Sequence, residues 1–107
     1  MSRPIESRRL SYEARARIAD NLFVLRRRAD YSQEALGERA MVSIDRIGKI
    51  ERGDVVGPVD TYVRLAGSLS VTLGELLAGV RWTPGIVELQ RDPGYEVEFE
   101  VEPPKLA

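Results

Sequence analysis

Ser32-Gln33-Glu34-Ala35-Leu36-Gly37-Glu38-Arg39-Ala40-Met41-Val42-Ser43-Ile44-Asp45-Arg46-Ile47-Gly48-Lys49-Ile50-Glu51-Arg52-Gly53 is the stretch on which the fold of this chain turns. Each of its two serines precedes a short run of apolar residues at helical spacing. A serine suits the N-cap because its hydroxyl accepts a first-turn N–H that no helical carbonyl can reach. From Ser32 the pattern predicts a short helix through Ala40, with Leu36 and Ala40 facing inward. Ala35 stands where Glu or Gln would complete a capping box, so the cap is a simple one. From Ser43 a second short helix follows, with Ile47 and Ile50 as its buried stripe and Gly53 as its stop. Only Met41-Val42 separates the two, so the pattern is a pair of short helices about a tight turn.

Upstream, Ile18, Leu22 and Leu25 recur at spacings of four and three, on one face of a helix that Ser11 caps and that ends near Arg28. Ala14, Ala16 and Ala19 favour that helix. Residues 1–10 lack such a pattern and read as a flexible basic arm. Downstream, Pro58 and Asp60 open a fourth helix over residues 59–69, expected to bury Val63, Leu65 or Ala66, and Leu69. Thr72-Leu73-Gly74-Glu75 is a complete capping box and starts a fifth helix over residues 73–78, closed by Gly79. Beyond Gly79 the period changes to two. Residues 86–90 read as a short strand, and residues 95–102 alternate without a break. Tyr95, Val97, Phe99 and Val101 face one way, while Glu96, Glu98, Glu100 and Glu102 face the other. Arg91-Asp92-Pro93-Gly94 between them has the residues of a type II turn. The expected division is an arm over 1–10, a helical domain over 11–80, and a β-hairpin tail over 81–107.

Composition removes whole classes of chemistry. The 107 residues contain no Cys and no His, which excludes a thiol nucleophile, a Ser-His-Asp triad and a Cys/His zinc site. No glycine-rich phosphate loop of Walker or Rossmann spacing occurs. The sequence therefore points away from an enzyme, and no cofactor or metal is expected. No apolar run reaches the roughly 18 residues of a membrane span, and a cytoplasmic protein is expected. The net charge of −1 hides an uneven distribution. Residues 1–28 carry eight arginines against three acids, whereas residues 83–107 carry Arg91 and Lys105 against six acids. A basic front with an acidic tail is a distribution that the overall charge conceals.

The ordered set Arg26…Ser32-Gln33-Glu34-Ala35-Leu36…Val42-Ser43…Ile47…Ile50-Glu51-Arg52-Gly53 resembles the Cro/cI-type (Xre-like) helix-turn-helix family. The resemblance continues through Leu65-Ala66, Leu69-Ser70-Val71 and Leu76-Leu77-Ala78-Gly79, about 65 residues in all. It implies a mainly α fold: a five-helix, phage-repressor-like domain, here with a C-terminal β-hairpin. It also implies a bacterial, sequence-specific transcriptional regulator that binds double-stranded DNA, in the common case a repressor, reading the major groove with the helix at about 43–52. In this family the residues matching Arg26 and Glu51 form an ion pair that ties the first helix to the recognition helix, a structural role. Gln33 matches a glutamine that meets a phosphate at a helix N-terminus. Ser43, Ile44, Asp45, Arg46 and Lys49 fall on the base-reading face. Arg46 would suit guanine, Ile44 a thymine methyl or else a protein contact, and Asp45 a cytosine or the orientation of Arg46. Arg27, Arg28 and Arg52 are candidates for phosphate contacts.

Met41 stands where the family usually has a turn glycine, and Asp54 stands in a loop that often carries basic residues. The hairpin has two readings. Its apolar face can pack on its own domain, or it can pair two chains into a homodimer on an inverted repeat, with Trp82, Tyr95, Val97, Phe99 and Val101 as dimerisation candidates. Trp82 itself suits a plug of the tail onto the helices better than a platform for bases. The rival function is a protein-interaction module, such as an antitoxin or bridging factor, that offers its acidic tail to a protein partner.

Overall fold

Four side-chain caps set the helical frame of the computed structural model, which describes residues 10–84 and 94–98. Ser11 Oγ accepts the Ala14 N–H at 3.1 Å and opens α1, Tyr12–Arg28. Ser32 Oγ accepts from Ala35 and opens α2, Gln33–Ala40. Ser43 Oγ accepts from Arg46 and opens α3, Ile44–Glu51. Pro58 precedes α4, Val59–Ser68, without a side-chain cap, as a residue with no polar side-chain atom must. The capping box of Thr72 and Glu75 closes in both directions, at 3.0 and 2.7 Å, and opens α5, Leu73–Leu76.

Each helix delivers at least one fully buried aliphatic side chain to a single core: Leu22 from α1, Leu36 from α2, Ile47 and Ile50 from α3, Leu65 from α4 and Leu76 from α5. Burial of each is worth about 1.5–3 kcal/mol, so the core and not the four-to-ten-residue helices themselves holds α2 to α5 in place. Leu10, at the edge of the expected arm, packs against this core; residues 1–9 lie outside the described part.

Two expectations are corrected. Val63 is half exposed, because the buried face of α4 runs through Thr61, Tyr62, Leu65 and Ala66 and continues to Leu69. One residue beyond Tyr62 the helix has turned through about 100°, which carries Val63 off that face. The partner of the alternating strand is also different. β1, Val80–Thr83, pairs antiparallel with β2, Gly94–Val97, in the register Val80–Val97, Trp82–Tyr95 and Thr83–Gly94. Gly94 therefore lies opposite Thr83 and not in a tight turn after residues 86–90, which fall outside the described part. The strand starts directly after α5 because Gly79, at φ +88°, redirects the chain there, and its carbonyl accepts the Glu98 N–H at 2.7 Å to extend the ladder.

The two-stranded sheet lies on α1 of its own chain. A polar seam fixes it. Asn21 Nδ2 donates to the Leu76 and Ala78 carbonyls at 3.0 and 2.9 Å, and Arg17 Nε donates to the Ala78 carbonyl. These are carbonyls at the end of α5 and just beyond it, which have no helical partner of their own.

Candidate nucleic-acid interface

The turn between α2 and α3 is tight because backbone meets backbone. Val42 N–H donates to the Gly37 carbonyl at 3.0 Å, and a Cβ on Gly37 would stand 2.6 Å from the Val42 carbonyl oxygen. Met41 takes the left-handed conformation at φ 58° and is 83% exposed, so the turn places strain on a non-glycine residue. Val42 turns back into the core. These contacts fix the angle at which α3 leaves α2.

α3 buries Ile47, Gly48 and Ile50 and exposes Ser43, Ile44, Asp45, Arg46 and Lys49. The five expected base-reading residues are thus all exposed. Their states differ. Ser43 is engaged as the cap, though its hydroxyl can still donate. Asp45 pairs with Lys49 at 3.1 Å, not with Arg46. Arg46 makes no ion pair among the described residues. Ile44 is 49% exposed at the rim of a concavity lined by Arg27, Tyr31, Ser32, Gln33 and Glu34, between the N-termini of α2 and α3.

Behind α3 sits a buried charged cluster. Arg26 Nε donates to Glu51 Oε2 at 2.6 Å and its Nη2 to Oε1 at 3.0 Å, a bidentate pair whose side chains are 8% and 6% exposed. Arg26 Nη1 donates to the Tyr31 carbonyl, and Gln33 Nε2 donates to Glu51 Oε1 at 3.1 Å. One carboxylate therefore joins α1, the start of α2 and the end of α3. The side-chain amide of Gln33 gives one N–H to Glu51 and keeps its second as a donor at a half-buried position.

The basic front is narrower than the count of arginines implies. Arg15 donates to the Gly53 and Leu10 carbonyls, Arg17 is buried at the α5 seam, and Arg26 is bound to Glu51. Arg27 and Arg28 remain exposed at the end of α1, with Arg27 over the Phe23 ring. Arg52 is exposed but pairs with Asp54 at 3.0 Å. The loop after α3 is held by Tyr62, whose hydroxyl accepts the Gly57 N–H at 3.1 Å. Burial raises the Tyr62 pKa above its ordinary 10.0, and the Gly57 hydrogen bond and the charge of Arg46 pull only partly back.

Of the hairpin residues, Trp82 is half exposed and lies opposite Tyr95, while Tyr95 and Val97 are half-buried. Phe99 and Val101 lie outside the described residues. Gly37, Tyr62, Arg15, Arg17 and Asn21 were not legible as positioning residues. For Gly37 alone there was a signal, since a glycine inside a helix is disfavoured unless something approaches closely.

The profile of the helix-turn-helix domain family matches residues 17–79, from α1 to the glycine just before β1; α5 itself ends at Leu76, two residues short of the expected 78. The chain belongs to that family. The match and the α2–turn–α3 geometry make it a Cro/cI-type helix-turn-helix protein with five helices and a small antiparallel sheet. Solved structures agree. The HTH_3 family transcriptional regulator from Vibrio cholerae superposes with a TM-score of 0.59 at 27% identity, over 63% of this chain and 38% of the regulator. The restriction-modification controller protein C.AhdI from Aeromonas hydrophila gives 0.59 at 26%, over 61% of this chain and 98% of the controller. The hypothetical transcription factor NHTF from Neisseria shares the fold, with a TM-score of 0.58 at 24% identity over 63% and 78% of the two chains. This helix-turn-helix protein thus spans about two fifths of the Vibrio regulator's length. Among proteins of curated function, none matches it by sequence. No helix among the described residues is long and apolar enough to cross a membrane.

Proposed function

We propose that the protein is a sequence-specific regulator of transcription that inserts α3 into the major groove of double-stranded DNA and acts as a repressor by covering a promoter. The observation that carries this is the outward face of α3: Ser43, Ile44, Asp45, Arg46 and Lys49 all stand exposed on a helix fixed from behind by Arg26, Glu51 and Gln33. A rigid helix whose exposed arginine has no ion-pair partner among the described residues has what bidentate recognition of guanine requires. Arg27 and Arg28 would hold the phosphates, and the concavity beside Gln33 would seat one at the start of α2. The regulator would act in the bacterial cytoplasm, on the nucleoid.

A homodimer on an inverted repeat is part of the proposal. Half-sites would lie about 34 Å apart or a multiple of that. Trp82, half exposed at the sheet, is the described residue best placed to contribute, with Tyr95 beside it. The rival reading, a module that presents its acidic tail to a protein partner, loses part of its motive. Glu98 lies 2.6 Å and Glu96 3.4 Å from Arg81 of the same chain, so the row offers a basic partner less charge than the sequence suggests.

Selection of bound sequences from a random duplex library tests the proposal, with Arg46→Ala beside the wild type. The expected result is an enriched inverted repeat that is lost or relaxed at one position of each half-site in the variant. Enrichment of nothing, with weak binding that modest salt abolishes, would sink it.

A further inference from the structure

Every exposed cation that α3 and its following turn offer, except one, is matched by a carboxylate of the same surface. Lys49 faces Asp45 at 3.1 Å one turn back, and Arg52 faces Asp54 at 3.0 Å two residues on. Both pairs are open to solvent: the side chains of Lys49 and Asp45 are 47% and 72% exposed, those of Arg52 and Asp54 60% and 55%. Pairs of this kind contribute little to stability. Arg46, on the same helix, has no such partner among the described residues.

We propose that Asp45 and Asp54 are specificity-determining residues that act as built-in counter-ions: they keep Lys49 and Arg52 from the DNA backbone and leave recognition to Arg46. This rests on the reading of α3 as the DNA-reading helix. A phosphate contact adds affinity for every sequence alike, whereas a base-edge contact adds it for one. A cation already neutralised by a neighbouring carboxylate releases no net counter-ion from DNA, so it adds nothing to sequence-independent binding. Non-specific affinity is thereby lowered more than specific affinity, and the ratio between them rises.

The salt dependence of binding reads this directly. Affinity is measured for the full chain on a mixed-sequence 30-base-pair duplex across a salt series, for the wild type, Asp45→Asn, Asp54→Asn, and each paired with loss of its cation (Asp45→Asn with Lys49→Gln, Asp54→Asn with Arg52→Gln). Each single variant is expected to bind about two- to five-fold tighter at fixed salt, with a log–log slope steeper by roughly 0.9 per freed cation. In the background lacking the cation, removal of the acid is expected to change neither quantity. Slopes identical in all proteins would overturn the counter-ion role while leaving DNA binding itself intact. A gain that persists without the cation would also overturn it, since the acid would then act by direct repulsion of phosphate. Absence of binding by the wild type and both single variants, even at low salt, would remove the underlying reading together with this one.

Discussion

At the scale of single residues the protein carries strain and buried charge whose consequences can be weighed. Met41 at φ 58° occupies a conformation that costs an L-residue roughly 1–2 kcal/mol, and its exposed side chain recovers almost none of it through packing. Met41→Gly is expected to raise stability by about 1 kcal/mol in urea unfolding, the greater backbone freedom of unfolded glycine taking back part of the gain. The buried pair behind α3 works in the opposite direction. Glu51→Ala would leave Arg26 desolvated and uncompensated and would free the Gln33 amide, so a loss of about 3–5 kcal/mol is expected. A variant unfolding within 1 kcal/mol of the wild type would show the pair to be dispensable. Tyr62 gives a pH signature. Its folded pKa lies above the ordinary 10.0, so the native state holds its proton where the unfolded chain releases it, and stability falls as pH rises past about 10. Tyr62→Phe is expected to flatten that fall while costing about 1 kcal/mol at neutral pH, through the unpaired Gly57 N–H. Paired urea titrations near neutrality and above pH 10 separate the two effects.

Among the elements, what the sequence shows well is what is local. Ser11, Ser32, Ser43 and Thr72 mark four helix starts because an N-cap is a contact within one turn, and all four accept the expected N–H. The outward face of α3 was legible for the same reason, since Ile47 and Ile50 fix which side is buried. What failed depended on partners far along the chain. Arg15 and Arg17 look like solvated charges in sequence, yet each reaches backbone carbonyls that only the tertiary fold supplies; the distant pair Arg26–Glu51 was legible only through the family resemblance. Residues 80–83 carry the strand partner although the turn-like Pro93-Gly94 suggested a closer one, because register is set by what packs on α1 and not by turn residues alone. Gly37 connects the two kinds of information. Ala in its place would gain helix propensity of about 1 kcal/mol but would drive a Cβ to 2.6 Å from the Val42 carbonyl, forcing α2 and α3 apart. Gly37→Val adds a second branch to that clash, and a net loss of about 2–3 kcal/mol is expected, with DNA affinity falling further than stability because the angle of α3 changes. Equal affinity in a folded variant would mean that the turn tolerates another geometry.

For the whole molecule the question is how the sheet belongs to the helical domain. Its attachment is the seam where α1 meets the end of α5: Asn21 and Arg17 hold the Leu76 and Ala78 carbonyls, and Gly79 turns the chain into β1 with no room for a side chain. A Cβ there would lie 2.8 Å from Arg17 Nε at a φ of +88°, so Gly79→Ala meets both a clash and a strained backbone. The helices α2 to α4 share none of these contacts and keep their core through Leu36, Ile47, Ile50 and Leu65. Gly79→Ala is therefore expected to loosen the sheet while the helices remain folded, with a loss of about 1–3 kcal/mol. Amide exchange resolves the two: the Glu98 N–H, bonded to the Gly79 carbonyl, should lose protection, while amides within α2 to α4 keep theirs. Uniform loss across all helices would mean that sheet and helices form one cooperative unit. The same variant then addresses the proposed dimer. If the hairpin joins two copies, Gly79→Ala should turn cooperative binding of an inverted repeat into independent occupation of half-sites, with recognition of each half-site retained, because α3 and the Arg26–Glu51 cluster are untouched. Cooperativity that survives a loosened sheet would assign the dimer contact to the helices.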